Sequence, residues 1–368
     1  MRVALVHDYL TQRGGAERVV AAMVRAFPEA PVYTSLYDPG GTFPEFRDAD
    51  VRTLGLNRFG VLRRHHRLAL PLFARAFSHL EVSADVVICS SSGWAHGTSV
   101  DGRKFVYCHN PARWLYQSED YLGGRRSVAR AALGILGSRL RKWDQRAAQS
   151  ADLYLCNSSV VQERVRSVYD IEAELLPPPH SIDIAAPQRA VEGLTGGFLL
   201  CVSRLLPYKN VGAIVQAFAG LPDEQLVIVG TGPQEARLRA AAGPNVRLLG
   251  SIPDEELRWL YANCAGVIAA SREDYGLTPL EGAAFGKPSA VLRWGGFLDT
   301  VDEGTTGVFF AAPTPEAIRE TVIELAGSSW DGKAIQAHAE RYSEPRFIER
   351  LRAVVLGEPA RTEEAIPA

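Results

Sequence analysis

Glu273-Asp-Tyr-Gly-Leu-Thr-Pro-Leu-Glu281 places two carboxylates eight residues apart, across a turn that contains glycine. The apolar run before it, Ala265–Ala270, predicts a buried strand. The segment after it, Glu281–Gly286, predicts a short helix. We expect Thr278 to cap that helix, with Pro279 in its first position and Glu281 in its third. The stretch therefore predicts a strand, a glycine turn and a helix N-terminus, with an acid on each side.

The start of a helix suits an anion such as a phosphate, because its free N–H groups and the positive end of its dipole face outward. Carboxylates beside it can accept hydrogen bonds from hydroxyl groups. A phosphate together with a polyol is the chemistry of a nucleotide-sugar. The alternative is that Glu281 is only the acid of a capping box, a common device at helix starts.

A second cluster of polar residues follows another apolar run, Phe198–Val202, which also predicts a strand. Arg204 and Lys209 lie on the loop between this strand and a predicted helix over Val211–Phe218. In α/β sheets that loop is at the edge where ligands bind. An arginine fork and a lysine point charge can together hold a diphosphate. Either cation alone would favour a solvated loop residue instead.

The pattern Ser203-Arg-x-x-x-x-Lys209, together with the two acids Glu273 and Glu281, resembles the donor site of glycosyltransferase family 4. Members of that family are retaining enzymes of the GT-B fold. Further segments are similar to bacterial mannosyltransferase-like members, and the resemblance covers nearly the whole chain. These segments are Leu5–Leu10, Gly14–Arg18, Tyr107–Pro111, Val227–Pro233 and Leu249–Glu256.

The resemblance implies an α/β protein with two doubly wound Rossmann-like domains facing a cleft. It implies that Arg204 and Lys209 neutralise the leaving diphosphate, that Glu273 binds the sugar and that Glu281 binds the ribose. It also implies that His109 lies near the transferred sugar, although a lone histidine is more often structural. The remaining implied donor contacts are the base pocket of Gly250, Ser251 and Ile252, the turn and helix start at Gly276, Leu277 and Thr278, and the loop of Gly14 and Gly15, which could instead simply shape a turn.

The implied donor is GDP-mannose, and a UDP-sugar remains open because no single residue encodes the choice. The implied acceptor is a saccharide or a lipid-linked saccharide; His96 and Gln117, which differ from the residues usual in related sequences, are expected on the acceptor side. We expect no catalytic metal and no cofactor. An inactive nucleotide-sugar-binding protein should have lost Arg204, Lys209 or Glu273. An NAD-dependent oxidoreductase should show G-x-G-x-x-G after its first strand, where this chain has Arg13-Gly14-Gly15.

The 368 residues are enough for two domains, and strand–helix alternation runs through both halves. We expect an N-terminal acceptor-side domain over residues 1–180 and a C-terminal donor-binding domain over 190–340. By resemblance, a helix near 341–357 crosses back to the first domain. Residues 358–368 are expected to be a disordered tail.

The five cysteines show no C-x-x-C spacing and are expected to be buried thiols in a reducing cytosol. No apolar run is long enough to span a bilayer. Two basic segments interleaved with apolar residues, at 61–70 and 125–146, predict either peripheral contact with an anionic membrane or a solvated helix face. The expected location is thus the cytoplasm, including the inner face of the cell membrane. Asp48 and Asp50 are expected at the surface, and nucleic acid is not an expected partner.

Overall fold

The computed structural model describes residues 1–117, 128–180 and 182–358. The expected tail lies outside these residues except for Glu358, as do Arg125 and Arg126 of the second basic segment. The chain divides into two compact units. The N-terminal unit comprises the described residues of Met1–Pro178 and Phe347–Pro367, and the C-terminal unit comprises those of Pro179–Arg346.

The N-terminal unit is built on a seven-stranded parallel sheet with the order β3-β2-β1-β5-β7-β8-β9. Strand β1 lies inside the sheet, and the chain adds β2 and β3 on one side of it and then β5, β7, β8 and β9 on the other. The short strands β4 and β6 form a separate pair. The strands are β1 Val3–His7, β2 Val32–Thr34, β3 Val51–Thr53, β4 Glu81–Val82, β5 Val86–Ser91, β6 Ser99–Val100, β7 Arg103–Cys108, β8 Leu153–Cys156 and β9 Glu174–Leu175.

Helices cover the faces of this sheet, as the near-continuous apolar runs of its central strands require. Strand β5 is buried along its whole length, and the helix predicted after Gly14-Gly15 is confirmed as α1. The helices of this part are α1 Gly15–Ala26, α2 Gly60–Arg64, α3 Leu70–Ser78, α4 Arg113–Tyr116, α5 Val128–Gln149 and α6 Ser159–Tyr169.

The C-terminal unit has a six-stranded parallel sheet with the order β12-β11-β10-β13-β14-β15. The strands are β10 Leu199–Val202, β11 Leu226–Val229, β12 Val246–Gly250, β13 Gly266–Ala269, β14 Ser289–Leu292 and β15 Gly307–Phe310. The helices that follow in the chain are α7 Val211–Phe218, α8 Glu235–Ala241, α9 Asp254–Asn263, α10 Leu277–Ala284, α11 Phe297–Thr300, α12 Pro315–Gly327, α13 Gly332–Glu340 and α14 Glu344–Leu356. The predicted α/β class with two Rossmann-like sheets is confirmed.

Helix α14 follows the C-terminal unit in sequence but packs in the core of the N-terminal unit. Phe347, Leu351 and Val355 are buried in the cluster that contains Leu5 and Tyr107. Their spacing of four residues puts the three side chains on one face of the helix.

All five cysteines are free and buried, as predicted. Within the part of the chain that the structure describes, no helix combines the length and the apolar character needed to span a bilayer.

Candidate active site

Three of the predicted donor-site residues, Arg204, Lys209 and Glu273, lie where the C-terminal sheet reverses its strand order. Strand β10 pairs with β11 on one side and with β13 on the other. The loop with Arg204 and Lys209 follows β10, and the loop with Glu273 follows β13. Since parallel neighbours end at the same sheet edge, these loops meet at the switch point, where open α/β sheets bind ligands.

The structure brings Lys209 and Glu273 into direct contact. The Lys209 ammonium group donates a hydrogen bond to Glu273 Oε1, and Ser271 Oγ donates to the same oxygen at 2.7 Å. The side chain of Lys209 is 12% exposed and that of Glu273 is 24% exposed. Lys209 is therefore largely buried although it lies on a loop, because it pairs with Glu273.

Two hydrogen bonds hold the backbone of these loops. Asn210, with φ of 53°, donates from Nδ2 to Ala270 O at 2.9 Å and so ties the loop after β10 to the loop after β13. The carbonyl of Glu273 accepts from Gly296 N at 3.0 Å. The Lys209–Glu273 pair is thus fixed by main-chain geometry at both ends.

Arg204 is exposed, as expected, and its guanidinium group donates to Tyr208 Oη at 3.3 Å. The ring of Tyr208 also lies under Lys209, with Nζ 5.1 Å from the ring centroid. The two cations therefore flank one aromatic side chain on the same loop, which allows both to face one anion.

The capping expectation for Thr278, Pro279 and Glu281 was wrong. Helix α10 begins at Leu277, its N-cap residue is Gly276, and no side chain caps it. Thr278 is consequently inside the first turn and Glu281 is beyond the capping positions. The backbone N–H groups of Leu277 and Thr278 belong to the first turn, which is the part of a helix that lacks internal acceptors.

Glu281 has a partner that the sequence did not indicate. Tyr261 Oη donates to Glu281 Oε2 at 2.7 Å. Tyr261 is fully buried in α9 and stacks on Phe285, with ring centroids 6.0 Å apart and an interplanar angle of 4°. A rigid phenol thus orients the carboxylate, and burial together with Glu281 raises the pKa of Tyr261 well above its usual value.

Gly250, Ser251 and Ile252 lie at the carboxyl end of β12, two strands from β10. Ser251 is exposed and Ile252 is half-buried. They share the sheet edge of the other predicted donor contacts, and no described contact joins them to Lys209 or Glu273.

In the N-terminal unit, His109 follows β7 and is half-buried. Its Nε2 lies 2.8 Å from Ser90 Oγ, and its carbonyl accepts from Asn157 Nδ2 at 3.1 Å. Burial lowers the pKa of His109 to about 3, and His7 adds to this effect. The imidazole is therefore neutral at physiological pH.

Gly14 and Gly15 are the N-cap and first residue of α1. A Cβ on Gly14 would lie 2.4 Å from Glu17 Oε2, so this glycine makes room for a buried carboxylate. Glu17 accepts from Gln12 Nε2 at 2.9 Å through Oε1, while Oε2 has no hydrogen-bond partner in the described structure. Burial raises the pKa of Glu17 to about 7.

His96, which the resemblance places on the acceptor side, is fully buried. Its Nδ1 lies 2.8 Å from Ser91 Oγ and its Nε2 lies 3.1 Å from Asp144 Oδ1. Asp144 also accepts from Tyr116 Oη at 2.9 Å. This arrangement holds α4 and α5 against the end of β5, which is a structural role.

Among the described residues, no group of three or more His, Cys, Asp or Glu side chains is arranged to hold a metal ion.

Comparison with known proteins gives a family for both parts of the chain. Residues 13–183 match the family model described as Glycosyltransferase Family 4, and residues 186–341 match the model described as Glycosyl transferases group 1. The human alpha-1,3/1,6-mannosyltransferase ALG2 is 25% identical over 394 residues and covers 92% of each chain. A GDP-mannose-dependent phosphatidylinositol monomannoside mannosyltransferase of Corynebacterium glutamicum is 31% identical over 181 residues, which are 44% of this chain and 47% of that protein.

Among solved structures, Anabaena HepE in complex with UDP-glucose superposes with a TM-score of 0.70 at 16% identity, covering 97% of this chain and all of the other. The lipopolysaccharide outer core galactosyltransferase WaaB superposes with a TM-score of 0.67 at 16% identity and the same coverage. The two Rossmann-like sheets have the GT-B fold, and the family models make the chain a glycosyltransferase. The chain belongs to glycosyltransferase family 4 and resembles its mannosyltransferases.

Proposed function

We propose that this enzyme transfers mannose from GDP-mannose to a saccharide or lipid-linked saccharide acceptor, with retention of the anomeric configuration. The observation that carries the proposal is the Lys209–Glu273 pair beside Arg204, at the switch point of the C-terminal sheet. This arrangement supplies cations for a diphosphate and a carboxylate for sugar hydroxyl groups. Mannose is chosen because the relatives named above are mannosyltransferases.

In this proposal each residue acts on one part of the donor. Lys209 and Arg204 stabilise the negative charge that develops on the leaving diphosphate, and such electrostatic stabilisation usually contributes most to catalysis. The N–H groups of Leu277 and Thr278 contribute at the helix start. Glu273 accepts from the sugar, Glu281 accepts from the ribose while Tyr261 fixes its orientation, and residues 250–252 contact the base. The mechanism we propose is a front-face displacement that needs no metal.

Thermal unfolding with GDP, GDP-mannose, UDP and UDP-glucose tests the donor. A ligand that binds only the folded state at about 100 times its Kd stabilises by about 2.7 kcal/mol. We expect stabilisation by the guanine nucleotides alone. Stabilisation by the uridine nucleotides alone would replace the donor with a UDP-sugar, and no response to any of the four would favour an inactive protein.

Product analysis tests the reaction itself. The enzyme is incubated with the stabilising donor and a mannoside acceptor, and the anomeric configuration of the product is read by NMR. An α-linked product from the α-linked donor is expected, and a β-linked product would reject retention.

We also propose that the acceptor is presented at an anionic membrane surface. The segment from Arg58 to Leu72 exposes four large apolar side chains, and no acid occurs between residues 51 and 80. The exposed residues are Phe59 at 46%, Val61 at 52%, Leu68 at 60% and Leu72 at 46%. The same unit has further exposed cations, which are Arg64 and, on α5, Arg139, Arg141 and Lys142. Each cation near anionic headgroups contributes about 1 kcal/mol.

Co-sedimentation with vesicles tests this surface. Binding to anionic vesicles at low salt, its loss at high salt and its absence on neutral vesicles are expected. The variant Leu68→Ser/Leu72→Ser should bind more weakly, whereas Ile323→Ser, which changes an exposed apolar residue of the other unit, should not. Equal binding to both vesicle types, or none, would favour a soluble saccharide acceptor.

A further inference from the structure

Ser90, near the end of β5, lies between two histidines, one at the end of β1 and one directly after β7. His7 is the last residue of β1, and its Nδ1 is 3.1 Å from Ser90 O and 3.1 Å from Ser90 Oγ. On the other side, Ser90 Oγ is 2.8 Å from His109 Nε2. The parallel pairing of β1 with β5 and of β5 with β7 sets the three side chains in a row.

The backbone carbonyl decides which atoms carry protons in this row. A carbonyl oxygen can only accept, so His7 Nδ1 must carry the hydrogen that it shares between Ser90 O and Ser90 Oγ. The Ser90 hydroxyl then accepts from His7 and has its own hydrogen left to donate. The remaining neighbour within hydrogen-bond distance is His109 Nε2, which must be the acceptor. An unprotonated His7 Nδ1 would place two lone pairs against each other at the carbonyl. A protonated His109 Nε2 would leave the hydrogen of the buried Ser90 hydroxyl without an acceptor.

We infer that Ser90 and His7 are positioning residues that hold His109 as the neutral tautomer with its proton on Nδ1. His109 is then a hydrogen-bond donor to a hydroxyl group of the bound substrate, and it is not a general base acting through Nε2. The tautomer follows from the contacts alone, whereas the role toward substrate rests on the proposed function.

The surroundings agree with this assignment. Burial lowers the pKa of His7 to about 4, and that of His109 is lowered to about 3, so neither ring takes a second proton at neutral pH. The rings approach edge-on with centroids 6.4 Å apart, which restricts their rotation. In the described part of the chain, no residue makes a hydrogen bond to His109 Nδ1. That N–H therefore stays available for a ligand.

Nitrogen NMR of ¹⁵N-histidine-labelled protein tests the tautomer without any substrate. The chain has eight histidines, and the signals of His109 are assigned by their loss in His109→Gln. A pyrrole-type Nδ1 and a pyridine-type Nε2 are expected in the wild type and in Ser90→Thr, which keeps the hydroxyl. Ser90→Ala should release the tautomer, so that Nε2 gains pyrrole character. A pyrrole-type Nε2 in the wild-type enzyme would overturn the inference.

A double-mutant cycle tests the role of His109 toward substrate. Ser90→Ala should lower kcat/KM by about 3- to 10-fold, the value of one hydrogen bond, and Ser90→Thr should restore most of it. In the His109→Ala background, Ser90→Ala should cause no further loss. If the losses add in the cycle while the spectra show the expected tautomer, the role toward substrate is rejected and the tautomer assignment is kept. If GDP-mannose is not the donor, neither the wild type nor any variant will transfer sugar from it, which distinguishes that failure from a failure of this inference.

Discussion

In the proposed donor site, Lys209 is the cation that the protein itself orients, through its contact with Glu273. We expect Lys209→Ala to reduce turnover by roughly 10²-fold or more, because it removes a preorganised charge at the leaving group. Arg204→Ala should have a similar effect on turnover and hardly any on the unfolding midpoint, since Arg204 is exposed. Steady-state kinetics with thermal unfolding checks both.

The matched control is Lys333→Ala, which removes an exposed lysine of the same unit on α13. It changes the net charge equally and should leave turnover unchanged. Near-normal turnover in both Lys209→Ala and Arg204→Ala would reject the donor-site assignment.

Glu273 and Glu281 should separate sugar binding from nucleotide binding. Glu273→Gln is expected to impair transfer while affinity for the nucleoside diphosphate survives. Glu281→Gln should weaken that affinity. Tyr261→Phe should weaken it to a smaller extent, because it removes the hydroxyl group whose hydrogen bond orients Glu281. Titration calorimetry with GDP measures all three. Because Glu281 does not cap α10, its substitution should not loosen the helix start. Unchanged affinity in Glu281→Gln would remove its role in binding.

Glu17 should make the enzyme more stable as the pH falls from about 7 toward 4.5. Its pKa is raised by burial from 4.5 to about 7, so the folded state binds more protons than the unfolded state in that window. The free energy of unfolding therefore decreases as the pH rises from 4.5 to about 7. Glu17→Gln should flatten this dependence and stabilise the enzyme at pH 8 by an amount on the order of 1–3 kcal/mol.

Urea unfolding at pH 5 and pH 8 measures the effect, and Glu29→Gln, at an exposed carboxylate of the same unit, is the control. If Glu17→Gln destabilised the protein equally at both pH values, the carboxylate would be an essential hydrogen-bond acceptor, and its buried charge would not be what destabilises the protein at high pH.

Local sequence was sufficient for some of these residues and insufficient for others. Arg204, Lys209 and Glu273 were placed correctly at strand ends, because short apolar runs followed by polar loops are a local signal. The contact between Lys209 and Glu273 spans 64 residues, and it depends on β10 and β13 being neighbours, which no local pattern encodes. The T-x-x-E pattern at Thr278 predicted a capping box, but the chain enters α10 earlier, with Gly276 in the N-cap position.

At the scale of single elements, the loop after β10 depends on a glycine in the neighbouring loop. Gly230, directly after β11, has φ of 135°, and a Cβ there would lie 2.0 Å from Ser203 O. Ser203 directly precedes Arg204, so any side chain at 230 must displace the start of the cation-bearing loop. Strand and helix positions were predictable from periodicity, whereas this close approach of two backbones was not.

We expect Gly230→Ala to destabilise the protein by about 1–3 kcal/mol and to lower affinity for the nucleoside diphosphate, because the residue would be strained and the loop displaced. Gly327→Ala is the matched control, since its φ is not positive and a Cβ added there would have no atom within 4 Å. That control should be neutral or slightly stabilising. Thermal unfolding measures the stability of both variants, and calorimetry measures their affinity for the nucleoside diphosphate. Equal stability and equal affinity of the two variants would contradict the steric argument.

At the scale of the whole molecule, the position of a helix in the chain does not decide which hydrophobic core it joins. Helix α14 ends the described chain, yet Phe347, Leu351 and Val355 are part of the N-terminal core. Arg350 donates to Leu175 O at 3.2 Å and Arg352 donates to Ala26 O at 3.3 Å, both in that unit. The C-terminal unit has its own cluster, which runs from Leu199 to Leu325. Chain length and strand–helix alternation predicted two domains. That α14 belongs to the first domain was inferred only from resemblance, since its apolar spacing does not say which surface it covers.

This arrangement predicts that the two units differ when they are separated. Residues 179–346 should fold alone and bind GDP, because that range contains a core of its own and the proposed nucleotide contacts from Arg204 to Glu281. Residues 1–178 alone should unfold at lower temperature and aggregate, because three large apolar side chains no longer cover their surface. Joining residues 344–358 to residue 178 through a Gly/Ser linker of about 20 residues should restore a cooperative unfolding transition. The same fusion with Leu351→Asp is the control, since it keeps the length and removes the buried contact. Equal stability of residues 1–178 with and without the helix would show that α14 only lies on a core that is already complete.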